Sequence, residues 1–350
     1  MSVFGVIMAG GIGSRFYPMS TNKKPKQFLS LFSEKSMIRE TFERVLPLVD
    51  QNKIMISSNT NFEKLVKESL PEILDENLLM EPIGRNTAPA LGLVSLAALK
   101  RDPEAIIVSL HSDHYIKKEA RFLSVLKDAI KLAEEGRIVT LGITPTYPET
   151  GYGYILRGKA HQAFDFEAYE VEKFVEKPDL ETAKSYLDTG NYTWNAGMFV
   201  FKAQQLMDEM SIHCPELYEG LMELNSKIDT PEFDEVYSQL KSIAIDVAVM
   251  EKSSNISMIP CDVGWSDVGS FYSLFQVHQG DKNQNVKLSH DFSLHSVDSS
   301  GNLAFSESSK SIALVGVSDL MVIDTEECLL VGKLDQAQDV KKILDLKSAI

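Results

Sequence analysis

Five short apolar runs within the first 143 residues, VFGVIMA, KIMISS, NLLME, AIIVSL and RIVTLGI, alternate with segments whose apolar residues recur at helical spacing. Those segments cover 37–49, 61–69, 87–100 and 118–135. Strand-sized runs separated by helices leave little freedom of architecture. Parallel strands need crossover connections, helices supply them, and the resulting sheet is covered on both faces. The chain is therefore expected to form an α/β fold built on a Rossmann-like open, mostly parallel sheet. Ligands on such sheets bind beyond the carboxyl ends of the strands, so the residues that follow each run are the ones to inspect.

The rhythm changes after about residue 151. YGYILRG, AYEVEKFVE and WNAGMFVF predict longer strands, read as an insertion, before helices over 203–224 and 231–241. Beyond about residue 283 the text becomes FSLHSV, NLAFSE, SIALVGV, LMVIDT and CLLVGK, short strands parted by turn residues. They predict a small all-β, β-helix-like unit closed by a helix over AQDVKKILDLK. The expected division is 1–282 and 283–350, with no strict internal repeat.

Charge narrows the possible ligands. The 350 residues carry a formal net charge of -15, with a pI near 5.0, which argues against nonspecific nucleic-acid binding. Residues 1–33 nevertheless hold Arg15, Lys23, Lys24 and Lys26 and no acid. Positive charge focused in an acidic protein suits a small polyanion. Cys214, Cys261 and Cys328 are odd in number and unpaired in spacing, so neither a disulfide framework nor a thiolate metal site is expected. MSVFGVIMA has no basic leader and is too short for a span, which predicts a cytoplasmic chain with no membrane partner.

The basic segment contains a glycine loop, Gly10, Gly11 and Gly13, directly after the first strand. It is not a Walker loop, because Ser14-Arg15 stands where Lys followed by Ser or Thr is needed. It is not a dinucleotide fingerprint either, because Phe16 replaces the third small residue. What remains is a backbone that lets a ligand approach closely, with Arg15 and Lys26 as cations. Lys23 and Lys24 read as solvated. Asp113 follows the strand at 105–110, and Asp262 and Asp267 follow ISMIP. Carboxylates at strand ends suit Mg²⁺; taken singly, Asp267 also reads as a helix N-cap. His111 and His114 lack the further ligands of a zinc pattern.

GGIGSRFYPMSTNKKPKQF resembles the signature of sugar nucleotidyltransferases, and EPIGRNTAPA, FVEKP, WNAGMF and VGWSDVGS follow in family order. The mannose-1-phosphate guanylyltransferase family is the nearest match, over nearly the whole chain, including LVGVSDLMVIDTEECLLV and AQDVKKI near the end. The resemblance implies transfer of GMP from GTP to mannose 1-phosphate, with pyrophosphate released. It implies that Gly10, Gly11 and Gly13 wrap the nucleotide, Arg15 holds the departing phosphates and Lys26 stands near the α-phosphate. Asp113 and Asp267 are expected to hold Mg²⁺. Glu176 is assigned the sugar hydroxyls and Lys177 the sugar phosphate, with Gly151, Asn195 and Gly197 on the same wall. Asn195 suits vicinal hydroxyls because its amide both donates and accepts.

Glu81 is expected to accept from guanine N1–H and N2–H₂, while Arg85, Asn86 and Thr87 precede a helix whose N-terminal amides assist the nucleotide. His111-Ser112 departs from the family's usual Pro-Ala. A chain ending at Ile350 is expected to carry a single activity, without the isomerase region of some relatives. A homodimer through the β unit is a further expectation. Two rival readings stay open: a guanylyltransferase for another sugar 1-phosphate, fucose or heptose, and a noncatalytic sugar-nucleotide sensor on the same fold.

Overall fold

The computed structural model describes residues 1–161, 165–228, 230–289 and 291–348. In chain order its elements begin with β1 (Val3–Ala9), α1 (Met37–Val45), β2 (Ile54–Asn59), α2 (Glu63–Ser69), β3 (Leu78–Glu81), α3 (Thr87–Arg101), β4 (Ile106–His111), β5 (Tyr115–Ile116), α4 (Glu119–Glu134) and β6 (Ile138–Ile143). They continue with β7 (Tyr154–Ala160), β8 (Tyr169–Val175), α5 (Leu180–Thr189), β9 (Tyr192–Lys202), α6 (Ala203–His213), α7 (Pro215–Asn225), α8 (Phe233–Gln239), β10 (Ile256–Cys261), β11 (Trp265–Ser266) and α9 (Phe271–Val277). The last segment holds β12 (Val286–Lys287), β13 (Leu294–Val297), β14 (Leu303–Ser306), β15 (Ile312–Val315), β16 (Leu320–Asp324), β17 (Leu329–Lys333) and α10 (Lys342–Ser348). Two compact units result. One comprises Met1–Gly10, Thr41–Ser112 and Ile116–Trp265, the other Gly11–Glu40, Asp113–Tyr115 and Ser266–Ile350.

The first unit is a nine-stranded sheet in the order β3-β2-β1-β4-β9-β6-β10-β8-β7. The first four of these strands are mutually parallel, and β6 and β10 are parallel to each other. β1 pairs with β2 on one side and β4 on the other, so the order reverses at β1. That is the switch point at which ligands enter doubly wound sheets. The expected insertion needs correction at WNAGMFVF, because β9 runs antiparallel through the middle of the sheet, between β4 and β6. Its residues are buried on both faces, which only a central strand with layers above and below allows.

Phe4 and Val6 of β1, Ile107 of β4, and Phe199 and Phe201 of β9 pack in one core with Leu91 and Val94 of α3 and Leu217 and Leu221 of α7. Each such side chain contributes about 1.5–3 kcal/mol on burial. The helix expected over 203–224 is broken at Cys214, because Pro215 has no N–H to give to the preceding turn and instead starts α7.

The second unit has its own core of Phe16, Leu29, Val268, Phe271, Leu303, Met321 and Ile323. Here β12, β14 and β16 are parallel, β17 closes the sheet antiparallel, and β13 pairs with β15. Leu303 pairs with Met321, and Leu294 with Ile312, eighteen residues on in both cases. That period is invisible in the sequence because the backbone path repeats while the residues do not. Asn302 Nδ2 donates to Asn285 Oδ1 at 2.8 Å, a buried amide pair between successive coils. The predicted closing helix is a 3₁₀ segment over Leu334–Lys341 before α10. Its buried residues Leu334, Ala337 and Val340 recur every third position, the period at which 3₁₀ side chains eclipse. Among the described residues, no helix is long and apolar enough to cross a membrane.

Candidate functional site

In the second unit, the glycine loop is organised around Lys26. Gly13 has φ +75°, and a Cβ built there lies 2.5 Å from Lys26 Cβ, so only glycine allows both the turn and the packing of the lysine stem. Lys26 is only 4% exposed. Its Nζ donates to Asp113 Oδ2 at 2.8 Å and to the Asp267 carbonyl at 2.7 Å, and stands 5.6 Å from the Phe16 ring centre. An ammonium taken out of water needs such partners. Arg15 is exposed on the 3₁₀ turn Ser14–Phe16, Gly10 and Gly11 have open space around them, and Lys23 and Lys24 are exposed.

Lys26 thus links the two carboxylate-bearing residues predicted to hold a divalent ion. Asp113 is 34% exposed. Asp267 Oδ1 accepts from the Gly269 N–H at 3.0 Å. The alternative of Asp267 as an N-cap is corrected, because Ser270 caps α9 in a reciprocal pair with Ser273. Asp262 is paired instead with Lys118, which holds its carboxyl below the usual range. Asp113 and Asp267 each offer carboxylate oxygens, the donor type that a hard divalent cation takes. Burial pushes the Cys261 thiol up to about 12, so it is inert at neutral pH.

The nucleotide loop departs most from expectation. Glu81 is 6% exposed, with Oε1 accepting from the Ser57 hydroxyl at 2.9 Å and Oε2 from the Tyr237 hydroxyl at 2.7 Å. Burial pushes its carboxyl above the ordinary range, against the two hydroxyl bonds. Each oxygen takes one internal donor and the side chain is buried, which weighs against Glu81 as the reader of guanine.

The α3 N-terminus is likewise closed. The Thr87 N–H donates to Asn86 Oδ1 at 2.8 Å, the Ala88 N–H to the Ile243 carbonyl at 3.1 Å, and Pro89 has none. The orphan amides of its first turn are therefore not offered to a ligand. Thr87 Oγ1 accepts from the Ile245 N–H at 2.8 Å, and Asn86 sits at φ +69°. Arg85 is half-buried, and its Nε has no hydrogen-bond partner.

The predicted sugar residues gather in the first unit. Glu176 pairs with Lys177, which adopts φ +48°, a left-handed conformation unusual for a side-chain-bearing residue and typical of functional segments. The Gly151 N–H is taken by Glu149 Oε1 at 2.8 Å. Asn195 is 9% exposed. Its Oδ1 accepts from the Gly197 N–H at 3.0 Å and the Thr140 hydroxyl at 3.2 Å, while Nδ2 donates to Asp246 Oδ1 at 2.8 Å. With its oxygen turned to the Gly197 N–H and Thr140, this amide faces a ligand chiefly as a donor.

Gly197, at φ +67°, accepts His111 rather than open space: a Cβ there would lie 2.8 Å from His111 Nε2. Sequence reasoning missed Asp246, Thr140 and Gly153, whose missing side chain leaves room for Glu176 Oε2 at 2.6 Å. Asp246 carried one signal, an acid within the apolar run IAIDVAVM. Burial, then the Glu176 charge, push its carboxyl up to about 6.

A nucleotidyl transferase family model matches residues 4–284, and one described as a MannoseP isomerase/GMP-like beta-helix domain matches 295–346. The chain is 40% identical over 353 residues to a mannose-1-phosphate guanylyltransferase of Salmonella muenchen, covering 98% of this chain and 73% of that protein. It is 37% identical to the protein of that name in Escherichia coli strain K12, again over 98% and 73%. A crystal structure from Thermus thermophilus, described as a mannose-1-phosphate geranyltransferase, superimposes with a TM-score of 0.91 at 33% identity, covering 99% of this chain and 100% of that one.

Proposed function

The chain belongs to the nucleotidyl transferase family, and from this we propose that it transfers GMP from GTP to α-D-mannose 1-phosphate, giving GDP-mannose and pyrophosphate. A phosphate oxygen of the sugar 1-phosphate attacks the α-phosphorus in line, one new P–O bond forms, and the bond to the bridging oxygen breaks as pyrophosphate leaves. Two polyanions must be brought together, so positioning and charge compensation are the main requirements.

The observation that supports this chemistry is one buried ammonium bonded to the Asp113 carboxylate and the Asp267 carbonyl. Asp113 and Asp267 would hold the divalent ion, and when bound it supplies charge neutralisation on the phosphate oxygens. Lys26 keeps both residues in register and adds a fixed positive charge. Gly10, Gly11 and Gly13 admit the phosphates, and Arg15, exposed and cationic, holds the departing pyrophosphate. Arg85 serves the nucleotide from its loop. Lys177 holds the sugar phosphate, Glu176 and Asn195 the sugar hydroxyls.

The finer parts of the proposal are Mg²⁺ as the ion, the cytoplasm as the compartment, a functional division at residue 282/283, and a homodimer through the β unit. The two family models, one ending at 284 and the other beginning at 295, support the division, although the compact units part at 265/266 and place 11–40 with the second. Edge strand β17 exposes Leu329 and Val331, which supports the dimer; a monomer by light scattering would overturn it. The central test is pyrophosphate release from GTP against mannose, fucose and heptose 1-phosphates. Mannose 1-phosphate is expected to give the highest kcat/KM, and a preference for another sugar refutes the substrate assignment.

A further inference from the structure

Asn195 can give a sugar only half of what a hydroxyl needs. Its carbonyl oxygen accepts from the Gly197 N–H at 3.0 Å, and the single Thr140 hydroxyl hydrogen is shared between that oxygen at 3.2 Å and the Met198 carbonyl at 3.3 Å. One of the two amide hydrogens goes to Asp246 Oδ1, which leaves a single N–H. Turning the amide around would set its NH₂ against the Gly197 N–H and its oxygen against Asp246 Oδ1, so Nδ2 is held as the donor toward Asp246. Asp246 is where an acceptor is available. It begins the π-turn Asp246–Met250 and is held from α3 by the Thr87 hydroxyl on the Ile245 N–H and by the Ala88 N–H on the Ile243 carbonyl. A carboxylate on so firm a support keeps its direction.

Asp246 also lines a cavity of ≈ 60 Å³ with Met8, Ser109, His111 and Gly197. A water molecule occupies about 30 Å³ in the liquid, so this space admits a hydroxyl and not a sugar ring. Ser109 and His111 belong to the carboxyl-terminal half of β4, the end of the sheet where ligands bind. The neighbouring Glu176 is paired with Lys177. A hydroxyl donated by a ligand would relieve an acid that its surroundings disfavour as an anion.

Building on the guanylyltransferase reading, we infer that Asp246 is a specificity-determining residue: its carboxylate accepts one sugar hydroxyl while the Asn195 amide, oriented by it, donates to the neighbouring one. A site built to bind a hydroxyl rejects the analogue that lacks it, because the protein group is then left unpaired.

The test compares wild type, Asp246→Asn and Asp246→Ala in GTP-dependent pyrophosphate release, with mannose 1-phosphate and its mono-deoxy analogues, one for each ring hydroxyl. Asp246→Ala is expected to raise the KM for mannose 1-phosphate about ten- to hundredfold and to leave the KM for GTP unchanged. One deoxy analogue should be penalised as strongly by wild type and no further by Asp246→Ala. Asp246→Asn, which keeps an oxygen for Asn195, should lie in between. An equal loss with every analogue, or a parallel rise in the KM for GTP, overturns the inference. So does a wild-type enzyme that accepts all the deoxy sugars within about threefold of mannose 1-phosphate, a result that needs no variant to fold. Pyrophosphate release by wild type distinguishes the two readings: its absence with every sugar defeats the guanylyltransferase proposal itself.

Discussion

Replacing Asp113 by alanine removes the 2.8 Å partner of an ammonium that is only 4% exposed. Breaking a fully buried ion pair at one end costs roughly 3–5 kcal/mol. Asp113 is 34% exposed, and Lys26 keeps the Asp267 carbonyl, so solvent screening and the surviving bond bring the expected cost to about 2 kcal/mol. At roughly 2–4 °C per kcal/mol for a unit of this size, Tm should fall by about 4–8 °C. Asp113→Asn retains an oxygen for Lys26 Nζ and should lose about 1 kcal/mol. Lys26→Met with Asp113→Ala should recover part of the loss, with a coupling energy of about 1–2 kcal/mol.

Thermal unfolding followed by circular dichroism measures these terms, and a pyrophosphate-coupled assay measures activity on the same samples. All the variants should lose roughly 100-fold or more in Mg²⁺-dependent turnover, including Asp113→Asn, which stays nearly as stable. An Asp113→Ala protein as stable as wild type, or additive effects in the double variant, would refute the pair as an energetic unit. Full turnover by Asp113→Ala would refute the metal role.

Tyr237→Phe strips one donor from the buried Glu81 carboxylate and should cost about 1–3 kcal/mol. Burial raises the Glu81 carboxyl above its ordinary 4.5. The folded state therefore holds its proton more tightly than the unfolded chain, and stability falls as pH rises above that value through the folded pKa. Losing the tyrosine raises the carboxyl further, so the deficit should be larger at pH 8 than at pH 5 in denaturant titrations; a pH-independent deficit contradicts this account. Glu81→Gln should leave the preference for GTP over ATP unchanged, and a loss of preference would restore the residue as a base reader. Gly11→Ala, with open space around it, should change stability by less than about 0.5 kcal/mol and raise the KM for GTP. Gly197→Ala meets both φ +67° and His111 and should lose about 1–3 kcal/mol; equal stability losses for the two alanine variants would refute the division between ligand-facing and structural glycines.

Part of the candidate site was singled out residue by residue, and the structure brings Lys26 to Asp113 and to the Asp267 carbonyl. Gly13, Lys26, Asp113 and Asp267 stand beside strand ends or in loops, where local spacing suggests exposure to a ligand, yet Lys26 is buried. Glu81 misled because position after an apolar run says nothing about donors arriving from elsewhere in the chain. Ser57 is 24 residues away and Tyr237 156 residues away, and together they account for both oxygens. The α3 amides misled for the same reason: Ile243 caps Ala88 from far along the chain. Asn195 was found from its motif, yet which of its atoms remained available depended on Thr140, Gly197 and Asp246.

The order of amino acids alone was enough for the alternating strands and helices of the first 143 residues, the α/β class, the basic glycine loop in an acidic chain and the succession of motifs. These follow from apolar period, turn residues and charge, which act over a few neighbours. Only folding in three dimensions settled that β9 enters the sheet centre antiparallel, that the β unit coils every eighteen residues, and which polar atoms face inward. Those outcomes depend on burying two-sided apolar strands and satisfying each buried donor and acceptor with partners far away in the chain. Lys26 joins the two levels: its charge was evident from the sequence, but its role between Asp113 and Asp267 exists only once the fold brings three distant segments to one nitrogen.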